Sequence, residues 1–257
     1  MVDIPPEVLD AINTGQIATV NLVEYLAADL AKLFPAVARD IGLDLQHPAL
    51  LQTLARLPGL KPMQRHWAVA EALLAAMGSN KAHEDRLATH VSDLARQWAA
   101  LIVGLRPDVD LSDRLRMVRP YAADPHFGVR EMAWLALRNA VAAEVSRALE
   151  LLQPWTQESD PNLRRYASEL TRPRGVWCAH LEPLKAHPEQ ALKLLAPLRA
   201  DPSRYVQNSV ANWLNDAAKT HPEWVLQLCR SWLEEAESKN TQYICKRGTR
   251  SLANGIR

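Results

Sequence analysis

The sequence predicts an all-α fold, and three observations carry that expectation. Apolar residues recur at three- and four-residue spacing almost throughout; Pro and Gly fall between those runs; and the second half of the chain repeats with a period near 40 residues. Composition agrees. Only 9 of 257 residues are Gly, and Val and Thr are thinly spread among many Ala and Leu, which argues against a sandwich or barrel with a turn at every hairpin. Hydrophobic residues make up 48 % and charged residues 23 %, which suits a globular chain with a sizeable core and not a disordered one.

Taken in chain order, the segment from Asn21 to Leu33 sets Leu22, Leu26, Leu30 and Leu33 on one helical stripe. Trp67, Ala70, Leu74 and Met77 form a second stripe, and Leu87, Val91, Leu94, Trp98 and Leu101 a third. Pro35, Pro48, Pro58-Gly59, Gly78, Gly104 and Pro107 read as helix boundaries or first-turn positions, and Pro62 suits the first position of a long helix. Of the eight Trp, Trp67, Trp98, Trp134, Trp155, Trp224 and Trp232 are expected in the core, and Trp213 is open.

From about residue 120 the chain repeats. Asp124-Pro125 leads into Val129-Arg130-Glu131-Met132-Ala133, Asp160-Pro161 into Leu163-Arg164-Arg165-Tyr166-Ala167, and Asp201-Pro202 into Tyr205-Val206. A weaker fourth copy has Tyr243-Ile244-Cys245-Lys246-Arg247. The Asp-Pro pairs lie 36 and 41 residues apart, and Asp, then Val-Arg, then Ala is the HEAT-repeat pattern. In such a repeat Asp caps the helix, Pro occupies its first turn, and apolar residues face the next repeat. The expectation is therefore a single domain over 1–257, a curved α-solenoid of HEAT-like helical repeats. Residues 1–110 form an N-terminal helical bundle, and 111–257 form the repeats and carry a groove. The fourth copy leaves little room for another helix pair, so the sequence stops at a final cap or is cut short.

Charge and cysteine usage bound the function. Residues 160–257 carry 15 Lys and Arg against 10 Asp and Glu, whereas 1–159 carry 15 against 19, so the repeats are the basic part and could serve a phosphate backbone. No run of 18 uncharged apolar residues exists, so no membrane span is expected. Met1 to Pro6 has no basic n-region, so no signal peptide is expected. Cys178, Cys229 and Cys245 are odd in number and far apart, which fits a reducing cytoplasm. Nucleotide loops of the types G-x-x-x-x-G-K and G-x-G-x-x-G are absent, as is H-E-x-x-H. His180-Leu181-Glu182 and His221-Pro222-Glu223 resemble half of a zinc-deaminase motif, but no P-C-x-x-C follows, so no metal is expected.

The repeat helices carry acids and aromatics. Glu131 follows Val129-Arg130, Glu169 sits ahead of Thr171-Arg172-Pro173-Arg174, and Asp216 ends a run that begins at Asn208. Asn208, Asn212 and Asn215/Asp216 share one helical face, and Asn is a poor interior helix residue, which suggests hydrogen-bonding work there. Taken alone, Glu169 could pair with Arg165 or Arg172, Asp216 could be a surface acid, Glu131 could pair with Arg130 or Arg138, and Trp177 could be a core anchor.

These motifs resemble the AlkC branch of the HEAT-like-repeat DNA glycosylases, relatives of AlkD, over nearly the whole length. The most specific pieces are Ala167-Ser168-Glu169 with Thr171-Arg172-Pro173-Arg174 and Trp177, and Tyr205-Val206 with Ser209-Val210-Ala211-Asn212-Trp213-Leu214-Asn215-Asp216; Arg130-Glu131 and His221-Pro222 also fit. Leu170 stands where the family usually has Gly, and Gly175-Val176 where it has Leu-Pro before the Trp. The resemblance implies hydrolysis of the N-glycosidic bond of cationic alkylated bases such as 3-methyladenine and 3-methylcytosine in double-stranded DNA, without base flipping. It implies Glu169 and Asp216 as the main catalytic carboxylates, Glu131 as a third, and Trp177 as an aromatic face. Arg164, Arg165, Arg172, Arg174, Arg204, Asn208, Asn212, Lys246, Arg247 and Arg250 are expected to bind the DNA. No cofactor is implied, since hydrolysis needs only water, and nothing demands more than a monomer. The competing readings are a non-catalytic HEAT scaffold, which fold alone would favour, and a protein that binds DNA structures without chemistry.

Overall fold

A computed structural model describes residues 4–175, 178–235 and 238–252. Among them are sixteen α-helices, four short 3-10 turns and no strand. The chain divides into two compact units: Met1–Asp108 with Pro125–Ala136, and Val109–Asp124 with Leu137–Arg257.

The first unit holds α1 (Pro6–Asn13), α2 (Leu22–Ala27), α3 (Leu30–Asp40), α4 (Pro48–Arg56), α5 (Pro62–Met77), α6 (Lys81–Ala88) and α7 (Asp93–Leu105). Pro48 and Pro62 open their helices and Gly78 closes α5 with φ 56°, as the sequence predicts. The stripe from Leu22 to Leu33, however, is two helices. Asp29 interrupts it because its carboxylate accepts from Ala31 N–H at 2.9 Å and starts α3. Leu22 and Leu26, on α2, are exposed. The stripe from Leu87 to Leu101 is likewise split between α6 and α7, and Val91 in the break is exposed. Pro35 lies inside α3 and not at its boundary. Gly104 lies inside α7, where an added Cβ would run into the carbonyl oxygen of Ala136, so packing holds this glycine in a helix. The core closes on Leu33, Phe34, Val69, Leu73, Trp98 and Leu101, with Trp98 edge-on to Phe34 at 6.3 Å.

The second unit begins with α8 (Leu111–Ala122). The helix α9 (Phe127–Ala143) lends its first part to the first unit and its last part to this one. There follow α10 (Val145–Leu152), α11 (Pro161–Leu170), α12 (Glu182–Ala186), α13 (Leu192–Leu195), α14 (Arg204–Ala218), α15 (Pro222–Glu235) and α16 (Lys239–Gly248). The helices α11, α14 and α16 pack side by side, one per repeat. Tyr166, Ala167 and Leu170, then Val210, Ala211, Trp213 and Leu214, then Ile244 and Cys245 are all essentially fully buried along this stack. Trp213 is thus a core residue; its Nε1–H donates to Thr171 O at 2.9 Å. Trp98, Trp134, Trp155 and Trp232 are buried as expected, and Trp67 and Trp224 are half-buried.

The Asp-Pro pairs are not equivalent. Asp160 caps α11, accepting from Asn162 N–H at 2.8 Å, with Pro161 in the first turn. Asp201 accepts from Ser203 N–H in the same way, yet α14 starts only at Arg204, and both Asp201 oxygens also bind the Arg164 guanidinium of the preceding repeat. Asp124-Pro125 likewise precedes α9, which starts at Phe127.

Candidate functional site

The C-terminus of α11 leaves carbonyls that its own helix cannot satisfy. Two side chains take three of them. Arg138, on the last part of α9, donates to Leu170 O at 2.7 Å and to Arg172 O at 2.6 Å, and Trp213 takes Thr171 O. Arg138 also reaches Ala179 O at 3.3 Å, so one buried guanidinium ties the end of α11 to the far side of the following loop. Burial pushes the Arg138 guanidinium down from its ordinary value, with Cys178, Glu169 and Asp216 opposing that and Arg172 adding to it. A cation at a helix C-terminus also suits the helix dipole.

That backbone fixes Glu169 and Arg172 one helical turn apart. Arg172 then spans two acids. Its Nη1 donates to Glu169 Oε1 at 2.8 Å, while Nε and Nη2 both lie 2.9 Å from Oδ2 of Asp216 on α14. Glu169 Oε2 accepts from Ser209 Oγ at 2.7 Å, and Ser209 in turn accepts from Ser168 Oγ at 2.8 Å. Arg165 Nη2 stands 3.5 Å from Glu169 Oε2, and Lys219 Nζ 3.6 Å from Asp216 Oδ1. Arg174 Nε donates to Asp216 O at 3.2 Å. The structure therefore brings Glu169 and Asp216 to one guanidinium, both about 95 % buried.

Burial alone would raise the Glu169 carboxyl. The charges of Arg165 and Arg172, with the hydrogen bonds from Arg172 and Ser209, outweigh it and hold the group below the usual carboxylate range. Burial lowers the Arg172 guanidinium, but the two acids more than offset that. Glu169 is therefore an anion at neutral pH and offers no proton to a leaving group.

Along α14 the residues at four-residue steps from Arg204 to Asp216 are each met by a partner. Tyr243 of α16 lies under the Arg204 guanidinium at 3.7 Å and donates its hydroxyl to Asn208 Oδ1 at 2.7 Å. Arg250 donates to Asn212 Oδ1 at 3.0 Å. Arg172 meets Asp216. Arg204, Lys246, Arg247 and Arg250 are exposed, and Arg174 is half-buried.

The other expected DNA-binding arginines are engaged within the protein. Arg164 is bidentate on Asp201, at 2.6 and 3.0 Å, and also donates to Glu158 O and Ser159 O. Arg165 is buried, faces Glu169 and lies 4.8 Å over Tyr205. Glu131 belongs to the first unit, where it accepts from Trp134 Nε1 at 2.8 Å. Trp177 lies outside the described residues. Sequence reasoning missed Arg138, Ser168, Ser209, Lys219 and Tyr243. The Ser pair carried a signal: Ser168 and Ser209 are 41 residues apart, the same step as the second and third Asp-Pro pairs. Among the described residues no three His, Cys, Asp or Glu side chains converge to hold a metal, and no helix is long and apolar enough to cross a membrane.

Comparison with known proteins places this geometry in context. A family described as DNA alkylation repair enzyme matches residues 64–252. The chain is 34 % identical over 117 residues to YhaZ, an uncharacterised protein of Bacillus subtilis (strain 168); the match spans 46 % of this chain and 32 % of YhaZ. Among solved structures, Pseudomonas fluorescens alkylpurine DNA glycosylase AlkC, bound to DNA containing an abasic site analogue, superposes with TM-score 0.72 at 29 % identity, covering 86 % of this chain and 62 % of that one. AlkD2 from Streptococcus mutans shares the fold, with TM-score 0.54 at 22 % identity over 91 % of this chain and 100 % of its own. The chain thus spans about a third of YhaZ and under two thirds of the AlkC chain.

Proposed function

The chain belongs to the DNA alkylation repair enzyme family, and from that premise we propose that it is a DNA glycosylase acting on cationic alkylated bases, of which 3-methyladenine and 3-methylcytosine are the type, in duplex DNA. The observation that carries this reading is the pair Glu169 and Asp216, held to one guanidinium on adjacent repeat helices within a basic unit.

The chemistry suits that pair. An N-alkylated cationic base takes the electron pair of the breaking C1′–N bond and departs neutral, so it needs no proton from the protein. That matches a site whose defined acid, Glu169, is held ionised. Positive charge builds on the sugar as the bond breaks, and fixed carboxylates stabilise it. Water then adds at C1′ and loses its proton, which a carboxylate can accept. Glu169 and Asp216 fill these two parts, with Glu131 as a third acid. Trp177 presents an indole face to the cationic nucleotide, a contribution of about 0.5–2 kcal/mol. Arg204, Lys246, Arg247, Arg250 and Arg174 neutralise phosphates, and Asn208 and Asn212 add hydrogen bonds. Arg164 and Arg165 serve by holding Asp201 and Glu169. The lesion stays in the duplex, the protein acts as a monomer in the cytoplasm, and no cofactor enters.

One observation favours a second reading. Both acids are buried and ion-paired, as in a purely structural network, which a protein that binds DNA without chemistry would also keep. The test is release of free base from methylated duplex DNA. Release of 3-methyladenine supports the glycosylase; no release from any alkylated duplex by folded protein, with binding retained, moves the assignment to the binding reading.

A further inference from the structure

The charged groups around the acid pair do not balance in favour of a cationic substrate. Arg165, Arg172 and Lys219 face Glu169 and Asp216, so the resting cluster carries a net positive charge. A cationic nucleotide would be repelled from it, and the carboxylates would have little charge to spare for the sugar. Taking Arg172 away removes one of those positive charges and frees Asp216 Oδ2 and Glu169 Oε1 together.

Arg172 is also the one member that contacts both acids, so its departure alone uncovers the two together. Its backbone is fixed by Arg138 and lies beside Thr171, whose carbonyl Trp213 holds, whereas its side chain is held by the two carboxylates. The side chain is 16 % exposed, against 6 % for Glu169 and 5 % for Asp216, so the guanidinium reaches solvent where the acids it covers do not. Rotation of the side chain alone moves it. Glu169 keeps Ser209 and Arg165 when it goes, and Asp216 keeps Lys219, so neither buried acid is stranded.

We propose that Arg172 is a phosphate-operated positioning residue: on DNA binding its guanidinium exchanges the two carboxylates for a backbone phosphate next to the lesion, and so exposes Asp216 and Glu169 to the sugar. A guanidinium fork binds phosphate as well as it binds a carboxylate, so the exchange replaces one charged partner by another. The inference rests on the glycosylase reading for its consequence, but the exchange itself is observable without turnover.

The experiment uses duplexes in which single phosphates around the lesion are replaced by neutral methylphosphonates, with wild type, Arg172→Gln and Arg172→Lys. Single-turnover base release is measured at saturating protein, and the Arg172 Nε–H NMR signal is followed on adding each duplex. At one linkage, neutralisation is expected to slow wild type by tenfold or more and Arg172→Gln by less than twofold, so that the two changes do not multiply. Arg172→Lys keeps the charge and loses the fork, and is expected to be nearly as insensitive as the Gln variant; it carries the test if Arg172→Gln does not fold. The Nε–H signal of wild type is expected to shift with normal duplex and not with the neutralised one. Multiplying effects, or equal sensitivity of wild type and Arg172→Lys, overturn the proposal. So does an unmoved Nε–H signal in the DNA complex, even where base is released. Absence of base release from every duplex with a shifted signal overturns the glycosylase reading and leaves the exchange standing.

Discussion

Each unit of the molecule buries acid, and the two do it differently. In the first unit Asp93 is fully buried and held by uncharged donors: Thr19 N at 2.8 Å, Thr19 Oγ1 at 3.2 Å and Gln97 Nε2 at 2.9 Å, with the His126 ring 3.3 Å away. In the second unit Glu169 and Asp216 are held by cations, through Arg165, Arg172 and Lys219. Asp93 fastens the loop at Thr19 to the start of α7 through backbone, hydroxyl and amide donors. A carboxylate held by side-chain cations is uncovered when those cations exchange partners. The comparison separates an acid held mainly by backbone, hydroxyl and amide donors from acids held by guanidinium and ammonium groups.

The sharpest stability contrast lies at the residue beneath the second site. Arg138→Met strands the carbonyls of Leu170, Arg172 and Ala179 and is expected to cost about 3–5 kcal/mol, read by denaturant titration. A loss under about 1 kcal/mol would mean that the end of α11 does not depend on this cation. Next, Asp93→Ala leaves Thr19 N and Gln97 without their acceptor and is expected to cost about 2–4 kcal/mol, with base release per folded molecule unchanged. A matching loss of release would erase the distinction between the two sites.

Acid titration sharpens the comparison further. Glu169 has a lower carboxyl pKa folded than its ordinary 4.5, so its contribution is fully present above that value and is lost as pH falls through the folded value. Stability of wild type should therefore drop below pH 4.5 more steeply than that of Glu169→Gln; parallel curves would deny the ion pairing. The smallest effects belong to the exposed cations. Arg204→Gln and Lys246→Gln should each reduce the slope of log K against log salt for DNA binding by about 0.9, with stability changed by less than about 0.5 kcal/mol. An unchanged slope removes that residue from the DNA face.

The repeat architecture was legible because its signals are local. Asp160-Pro161, Pro48, Pro62 and Gly78 act within one turn of themselves, and the apolar stripe of α5 needs no partner to be recognised. The stripes at Leu22–Leu33 and Leu87–Leu101 misled because apolar spacing survives a helix break, and Asp29 declares itself a cap only once Ala31 N–H is seen to need one. The acids were legible as a resemblance and not as a geometry. The pairing of Glu169 with Arg165 and Arg172 was legible because both lie within one turn of it, whereas nothing in Arg164 says that it will reach Asp201, a partner that depends on the stacking of helices. Arg138 and Tyr243 were invisible for the same reason: each acts on residues at least 32 positions away.

The most direct test of the account is single-turnover release of 3-methyladenine from methylated duplex DNA by Glu169→Gln and Asp216→Asn, set beside Asp93→Asn, with DNA binding measured on the same samples. The account expects the first two to lose on the order of 10²-fold or more in release while binding within a few-fold of wild type, and Asp93→Asn to release at the wild-type rate per folded molecule. Wild-type release by both Glu169→Gln and Asp216→Asn would contradict it, and would make the pair a structural network like the one around Asp93.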